Sequence, residues 1–209
     1  MRNSVPQKDH APTVPLLRDL ETIDQVVYAA VATVDTPVLD TGLRRLSRAA
    51  DHSKISLTVA ALLALRPGRT RRAALGGVAA IGLASATANL LGKRLARRPR
   101  PNRAAAEVVV GRHVPMPASP SFPSGHTASA VAFAVAAGAV LPEAALPLGV
   151  LASAVGYSRV HTGVHYPGDV LAGAVLGATC AAAVTWAGAR FCGTATPAAR
   201  PGGRSVGPA

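Results

Sequence analysis

Two stretches of 20 residues without a charge constrain this chain more than any other feature. Ala73 to Gly92 lies between Arg72 and Lys93, and Val170 to Ala189 lies between Asp169 and Arg190. As α-helices at ~1.5 Å per residue, each is ~30 Å long, one hydrocarbon thickness of a bilayer. A soluble helix normally keeps a polar stripe for water, and these do not. Between them, Thr127 to Tyr157 carries one charge, Glu143. That run is too long for one helix, and Leu141-Pro142-Glu143 reads as a turn dividing it into spans 126–141 and 144–158. A fifth, weaker run is Ile55 to Leu65, followed at once by Arg66, Arg69, Arg71 and Arg72. Ala, Gly, Ser and Thr dominate the spans, which suits close helix packing in lipid. Tyr157, Tyr166 and Trp186 fall near span ends, as interfacial aromatics do. The expected fold class is all-α: an integral membrane helical bundle of about five spans.

Composition excludes the main competitors. Of 209 residues, 49% are hydrophobic and 15% charged, with a net charge of +12. A disordered chain would be poorer in apolar residues, and two cysteines cannot build a disulfide scaffold. The basic charge alone would fit a nucleic-acid-binding domain, but the apolar runs do not, so no nucleic-acid partner is expected. Cys180 and Cys192 have no CxxC neighbour and read as free thiols.

The first 25 residues hold no apolar core of the length a signal peptide needs. Instead Leu16, Leu20, Ile23, Val27, Ala30 and Val34 recur at helical spacing, with Asp19, Glu21, Asp24 and Gln25 on the other face. Leu39, Leu43 and Leu46 predict a second amphipathic helix. The expected organisation is a disordered N-terminus over 1–15, interfacial amphipathic helices over 16–54, a membrane domain over 55–192 and a disordered tail over 193–209.

Polar residues gather at three places, each abutting a span end. They are Lys93 to Pro101, Pro123-Ser124-Gly125-His126, and Ser158 to Asp169. Alternating crossings put all three on one membrane face, so Lys93, Arg100, Arg159, His126, His165 and Asp169 can converge. Such a pocket is cationic with one carboxylate and reads as an oxyanion site. Ser124-Gly125-His126 opens a helix, so free backbone N–H groups face the pocket, and Gly125 lets a ligand come close. Asp169 stands four residues after His165 and can reach back to one imidazole nitrogen, leaving the other as a nucleophile or base.

Plainer readings hold elsewhere. Arg94, Arg97, Arg98 and Arg103 read as head-group contacts, His161 as structural, and His113 and Glu107 as solvated loop residues. Lys93 alone would be a snorkelling lysine, and Ser124 alone an N-cap. Gly92-Lys93 is no P-loop, since Thr87 stands where the first glycine belongs. The histidines form no zinc motif.

The three segments resemble the type 2 phosphatidic acid phosphatase (PAP2) family, whose pattern is K-x6-RP, PSGH and SR-x5-H-x3-D. Lys93 with Arg100-Pro101, then Pro123-Ser124-Gly125-His126, then Ser158-Arg159 with His165 and Asp169 match every fixed position in order and spacing. The resemblance implies a lipid phosphatase. His165 would attack phosphorus and form a phosphohistidine, and Asp169 would orient it. His126 would protonate the leaving oxygen and then activate water. Lys93, Arg100, Ser124, Gly125 and Arg159 would hold the phosphoryl oxygens. With three cations in the place of Mg²⁺, no metal and no cofactor are expected.

The short N-terminal region looks like that of the small bacterial undecaprenyl-diphosphatases of the family. A polyprenyl diphosphate is therefore the first-choice substrate, with phosphatidate or phosphatidylglycerophosphate as the alternative. A vanadate haloperoxidase would share the residues, but those enzymes are much larger and soluble, and the intact His126, His165 and Asp169 set argues against a non-catalytic lipid-binding module. Charge counting does not fix orientation, because the 93–112 loop holds seven Lys and Arg residues. The family implies a multi-pass protein of the cell membrane with its site on the extracytoplasmic face. The expected partners are membrane lipids and a lipid phosphate, and the sequence leaves the oligomeric state open.

Overall fold

The structure, a computed structural model, describes residues 15–193. The ends expected to be disordered lie outside the described residues, apart from Pro15 and Gly193, which are helical. The elements in order are α1 (Pro15–Thr33), α2 (Pro37–Ala49), a 3-10 turn (Asp51–Ser53), α3 (Lys54–Ala64), α4 (Arg69–Thr87), a π turn (Ala88–Gly92), α5 (Lys93–Leu95), a second 3-10 turn (Val110–Arg112), α6 (Gly125–Val140), α7 (Pro142–His161) and α8 (Pro167–Gly193). The described residues are thus an all-helical bundle. The break expected at Leu141-Pro142 is present, since Pro142 opens α7. Helix α7 continues to His161, so Ser158 and Arg159 lie on its last turns rather than in the loop to α8.

Among the described residues, two helices are long and apolar enough to cross a membrane alone, Arg69–Leu95 and Pro167–Arg190. A third span is possible by length and composition if the bent pair Arg18–Thr33 and Pro37–Ala49 counts as one. Helix α6 is apolar but has 16 residues, and α3 has 11, ~16 Å of helix. Apolar side chains outside the core, including Leu75, Leu146, Leu171, Val175 and Trp186, are exposed, as lipid-facing residues are.

Helix α6 is the centre, packed against α4, α7 and α8. The contact is made of small residues. Ala80, Ala84, Ala128, Ala132, Ala136 and Ala181 are fully buried and cluster with Cys180. A Cβ at Gly173 would stand 2.5 Å from the Ser124 carbonyl oxygen, so only glycine lets α8 come this near the start of α6.

Helix α1 turns its polar side to the bundle and its apolar stripe outward. Along α1, the polar-side residues Asp24 and Tyr28 are buried with Ala32, whereas Leu20, Ile23, Val27 and Val34 are exposed. The bundle is met by a carboxylate and a phenol because it presents cations there, and the apolar stripe is left to face outward. The corner between α1 and α2 is held by Arg112, which is fully buried. Its guanidinium donates to the Val31, Ala32 and Val34 carbonyls, to Thr36 Oγ1 and to Asp40 Oδ1 at 2.9 Å. Asp40 Oδ1 also lies 2.9 Å from His161 Nε2, tying the corner to α7. The 102–122 loop is therefore a strut. Glu107 is exposed as expected, but His113 is partly buried against the Val108 carbonyl at 3.0 Å.

Removing one partner from a buried ion pair costs ~3 kcal/mol or more. Arg112→Ala is expected to lower the thermal unfolding temperature in detergent by that amount of stability, while Arg94→Ala, at an exposed position, leaves it unchanged.

Candidate active site

The site grows from the loop between α7 and α8. Gly163 takes a φ of 69°, a conformation that suits glycine, and turns the chain back on itself. The Val164 and His165 N–H groups then both donate to the Arg159 carbonyl, at 3.1 and 3.2 Å. This fixes His165, 2% exposed, against the start of α8, where Pro167 is the first helical residue and Asp169 lies in the first turn.

Asp169 reaches back as its spacing predicts. His165 Nδ1 lies 3.4 Å from Asp169 Oδ2. The same oxygen accepts from the Ser121 hydroxyl and from the Tyr166 N–H at 2.9 Å, and Oδ1 accepts from Arg98 at 3.0 Å. A carboxylate with this many donors stays ionised, so Nδ1 carries the proton and Nε2 the lone pair. Arg100 Nη1 stands 3.2 Å from Nε2. The Arg100 fork is held by donation to the Ser119, Pro120 and Val164 carbonyls. Burial pushes the His165 imidazole down from 6.5 to about 4; the Asp169 hydrogen bond opposes this and the Arg100 charge adds to it.

The second histidine comes from α6. Ser124 caps the helix, its hydroxyl oxygen accepting from Thr127 Oγ1 at 2.9 Å and, more weakly, from the Thr127 N–H at 3.4 Å. The Ser124 N–H donates to the Asp169 carbonyl at 2.9 Å, locking the start of α6 to the start of α8. Space beside Gly125 is open, with nothing within 4 Å of where a Cβ would stand. His126 Nε2 lies 2.8 Å from Asp51 Oδ1. Arg159, 1% exposed, donates to the Ser47 carbonyl and hydroxyl at 3.1 and 2.7 Å, and its Nη1 lies 3.7 Å from Asp51 Oδ1. The buried Arg159 Nε has no partner among the described residues and can meet a ligand oxygen. Lys93 follows the π turn, and its Nζ donates to Asn89 Oδ1 at 2.7 Å. Lys93, Asn89, Ser85, Ser129, Gly125, His126 and Asp51 line an open cleft of ≈ 450 Å³.

Around this runs a layer that the sequence reading did not assign to the site. Arg98 bridges Asp24 and Asp169, at 2.6 and 3.0 Å, and its guanidinium carbon lies 4.2 Å from the centre of the Tyr166 ring. Asp24 Oδ1 also accepts from the Gly168 N–H at 2.6 Å, so α1 clasps the start of α8. Arg103 donates to the Val114 and Gly163 carbonyls, at 2.9 and 3.3 Å. The head-group reading of Arg98 and Arg103 is thus corrected, while Arg94 and Arg97 are exposed. Tyr166 packs edge-on against Tyr28, with ring centres 5.4 Å apart, and is part of this support rather than an interfacial anchor.

The eight residues singled out by spacing therefore gather at one end of the bundle. Asp51, Ser47, Ser121 and Asp24 were missed. Asp51 alone left a signal, as the last carboxylate before a strongly basic stretch.

The family model described as PAP2 superfamily matches residues 73–191. A Mycobacterium tuberculosis protein named decaprenylphosphoryl-5-phosphoribose phosphatase is 40% identical over 160 residues, 76% of this chain and 86% of the relative. The crystal structure of Aquifex aeolicus LpxE matches with a TM-score of 0.65 at 24% identity, over 78% of this chain and 95% of that one. A crystal structure of a transmembrane PAP2 type phosphatidylglycerolphosphate phosphatase from Bacillus subtilis has the same TM-score of 0.65 at 23% identity, over 86% of this chain and 89% of that one. These two likenesses concern the fold.

The depressed His165 value has a consequence for stability. Between its folded value of about 4 and the ordinary 6.5, the unfolded chain binds the proton and the folded chain does not. Its contribution is complete above 6.5 and is lost as pH falls towards 4. The unfolding temperature in detergent is expected to rise with pH across this window, and more steeply than in His165→Gln.

Proposed function

Because the chain belongs to the PAP2 superfamily and is a membrane lipid phosphatase, we propose that it removes the terminal phosphate from a sugar carried on a polyprenyl phosphate, through a phosphohistidine at His165. Nε2 of His165 attacks phosphorus while the bond to the leaving oxygen breaks and His126 gives that oxygen a proton. Water then attacks the phosphohistidine, with His126 taking its proton, and inorganic phosphate leaves as His165 is regenerated. Asp169 holds the reactive tautomer. Arg100, Arg159, Lys93 and the Gly125 N–H receive the charge that develops on the phosphoryl oxygens. The Ser124 hydroxyl caps α6 and keeps its proton free to join them.

The observation that carries the substrate reading is the wall of the cleft beside His126. Ser85, Asn89 and Ser129 offer hydroxyl and amide groups there, and Asp51 adds a carboxylate that is 38% exposed. A neutral, hydroxyl-rich leaving group fits such a wall. The second phosphate of a diphosphate would bring its charge against Asp51. The substrate in the name of the Mycobacterium tuberculosis relative is a polyprenyl-linked phosphoribose, in line with this choice. We place the reaction at the extracytoplasmic face of the cell membrane in a multi-pass protein, where the resemblance of its motifs to the family puts it.

Phosphate release in detergent from a polyprenyl phosphoribose 5-phosphate, a polyprenyl diphosphate and phosphatidylglycerophosphate tests the reading. The sugar phosphate is expected to be the best substrate. Ser85→Ala, which leaves the Lys93–Asn89 bond in place, should lower its kcat/KM by ~5-fold, the worth of one hydrogen bond, and leave the diphosphate rate unchanged. Preference for the diphosphate would overturn the substrate assignment.

A further inference from the structure

One carboxylate of the cleft, used so far only as part of its wall, has no task in the chemical steps. Asp51 lies in the 3-10 turn joining α2 to α3, far in sequence from the three motifs. Its Oδ1 is 2.8 Å from His126 Nε2 and 3.7 Å from Arg159 Nη1. A carboxylate so placed opposes the anion that the neighbouring cations gather, so its presence needs a compensating role.

The backbone is bent to put it there. His52 and Ser53 follow with φ of 56° and 59°, two successive non-glycine residues in the left-handed region. Such conformations persist only where surrounding structure enforces them, and they cluster at functional sites. The enforcement is visible on both sides of the turn. Ser47, fully buried on α2, is bonded to Arg159, and Ile55 at the start of α3 packs on the apolar core.

His126 is met by Asp51 from this turn, by Arg159 from α7 and by the electrostatic influence of His165 from the following loop. Lys93 shares the same cleft. Of these charged neighbours, Asp51 is the one that accepts a hydrogen bond and welcomes a positive imidazole. The arrangement repeats, on the leaving-group side, what Asp169 does for His165.

We propose that Asp51 is a positioning residue for His126: its carboxylate holds the Nε2 proton, so that Nδ1 presents the proton to the leaving oxygen and afterwards receives one from the attacking water. The protein then carries two His–Asp pairs, one for the nucleophile and one for the acid. This rests on the phosphohistidine reading given above.

The test compares dodecyl phosphate, whose alkoxide needs a proton to leave, with p-nitrophenyl phosphate, whose phenolate does not. Wild type, Asp51→Asn, His126→Ala and the double variant are assayed in detergent, with the first burst of nitrophenolate resolved. Asp51→Asn is expected to slow dodecyl phosphate turnover by ~10-fold or more, a part of the ~10²–10⁴-fold that a general acid–base group contributes, and to change the burst rate by less than ~3-fold. Adding it to His126→Ala should cost nothing further on dodecyl phosphate, because the two act as one unit. Asp51→Glu, which keeps the charge, should retain more of that rate than Asp51→Ala. Equal losses on both substrates, additive losses in the double variant, or equal rates for Asp51→Glu and Asp51→Ala would overturn the proposal. Turnover that survives in His165→Ala overturns the phosphohistidine reading instead, and the same assay shows it.

Discussion

The Asp169 carboxylate, fully buried at the start of α8, is the point on which the rest of the site depends. An ionised carboxylate away from water is costly unless its lone pairs are filled. Here they are filled by Arg98, Ser121, His165 and the Tyr166 N–H, while its own backbone carbonyl takes the Ser124 N–H. The carboxylate's donors come from the Lys93–Pro101 and Ser158–Asp169 segments and from Ser121, and the carbonyl adds the Pro123–His126 segment. This one residue therefore fixes the mutual placement of His165, the start of α6 and the loop after α5. The tautomer of His165 follows from the same bonds.

A second constraint is the distribution of charge along the chain. Seven of the ten carboxylates occur by Asp51, and the remainder of the chain is strongly basic. The fold resolves this by laying the acidic N-terminal region over the basic end of the bundle. Asp24 meets Arg98, Asp40 meets Arg112 and Asp51 meets Arg159 and His126. The N-terminal helices thus share in the construction of the site, and they turn their polar residues inward to do so. The apolar stripe of α1, left outside, is suited to lipid.

The spans and the three motifs were legible because each rests on a short-range signal: an uncharged run of bilayer length, a proline at a break, or a fixed spacing between polar residues. His165 and Asp169 meet because four residues span the first turn of α8. The supporting layer was not legible, since its partners lie far apart in sequence. Asp24 and Gly168 are 144 residues apart, and Ser47 and Arg159 are 112 apart. Helical periodicity separated the two faces of α1 but, since it ranks faces by apolarity, could not register that a carboxylate is buried there to meet a cation. The left-handed pair after Asp51, His52 and Ser53, likewise has no local sequence signature such as glycine or proline.

The central claim is that a phosphoryl group passes through His165 and leaves with help from His126. Rapid quenching of His126→Ala with radiolabelled p-nitrophenyl phosphate tests it most directly. The phenolate can depart without the acid, and the phosphoenzyme then lacks the group that activates water. An acid-labile, base-stable phosphate is expected to accumulate on the protein, to map to the peptide containing His165, and to be absent from His165→Ala. Label that persists in His165→Ala, or lipid turnover at the wild-type rate in His126→Ala, would contradict the account.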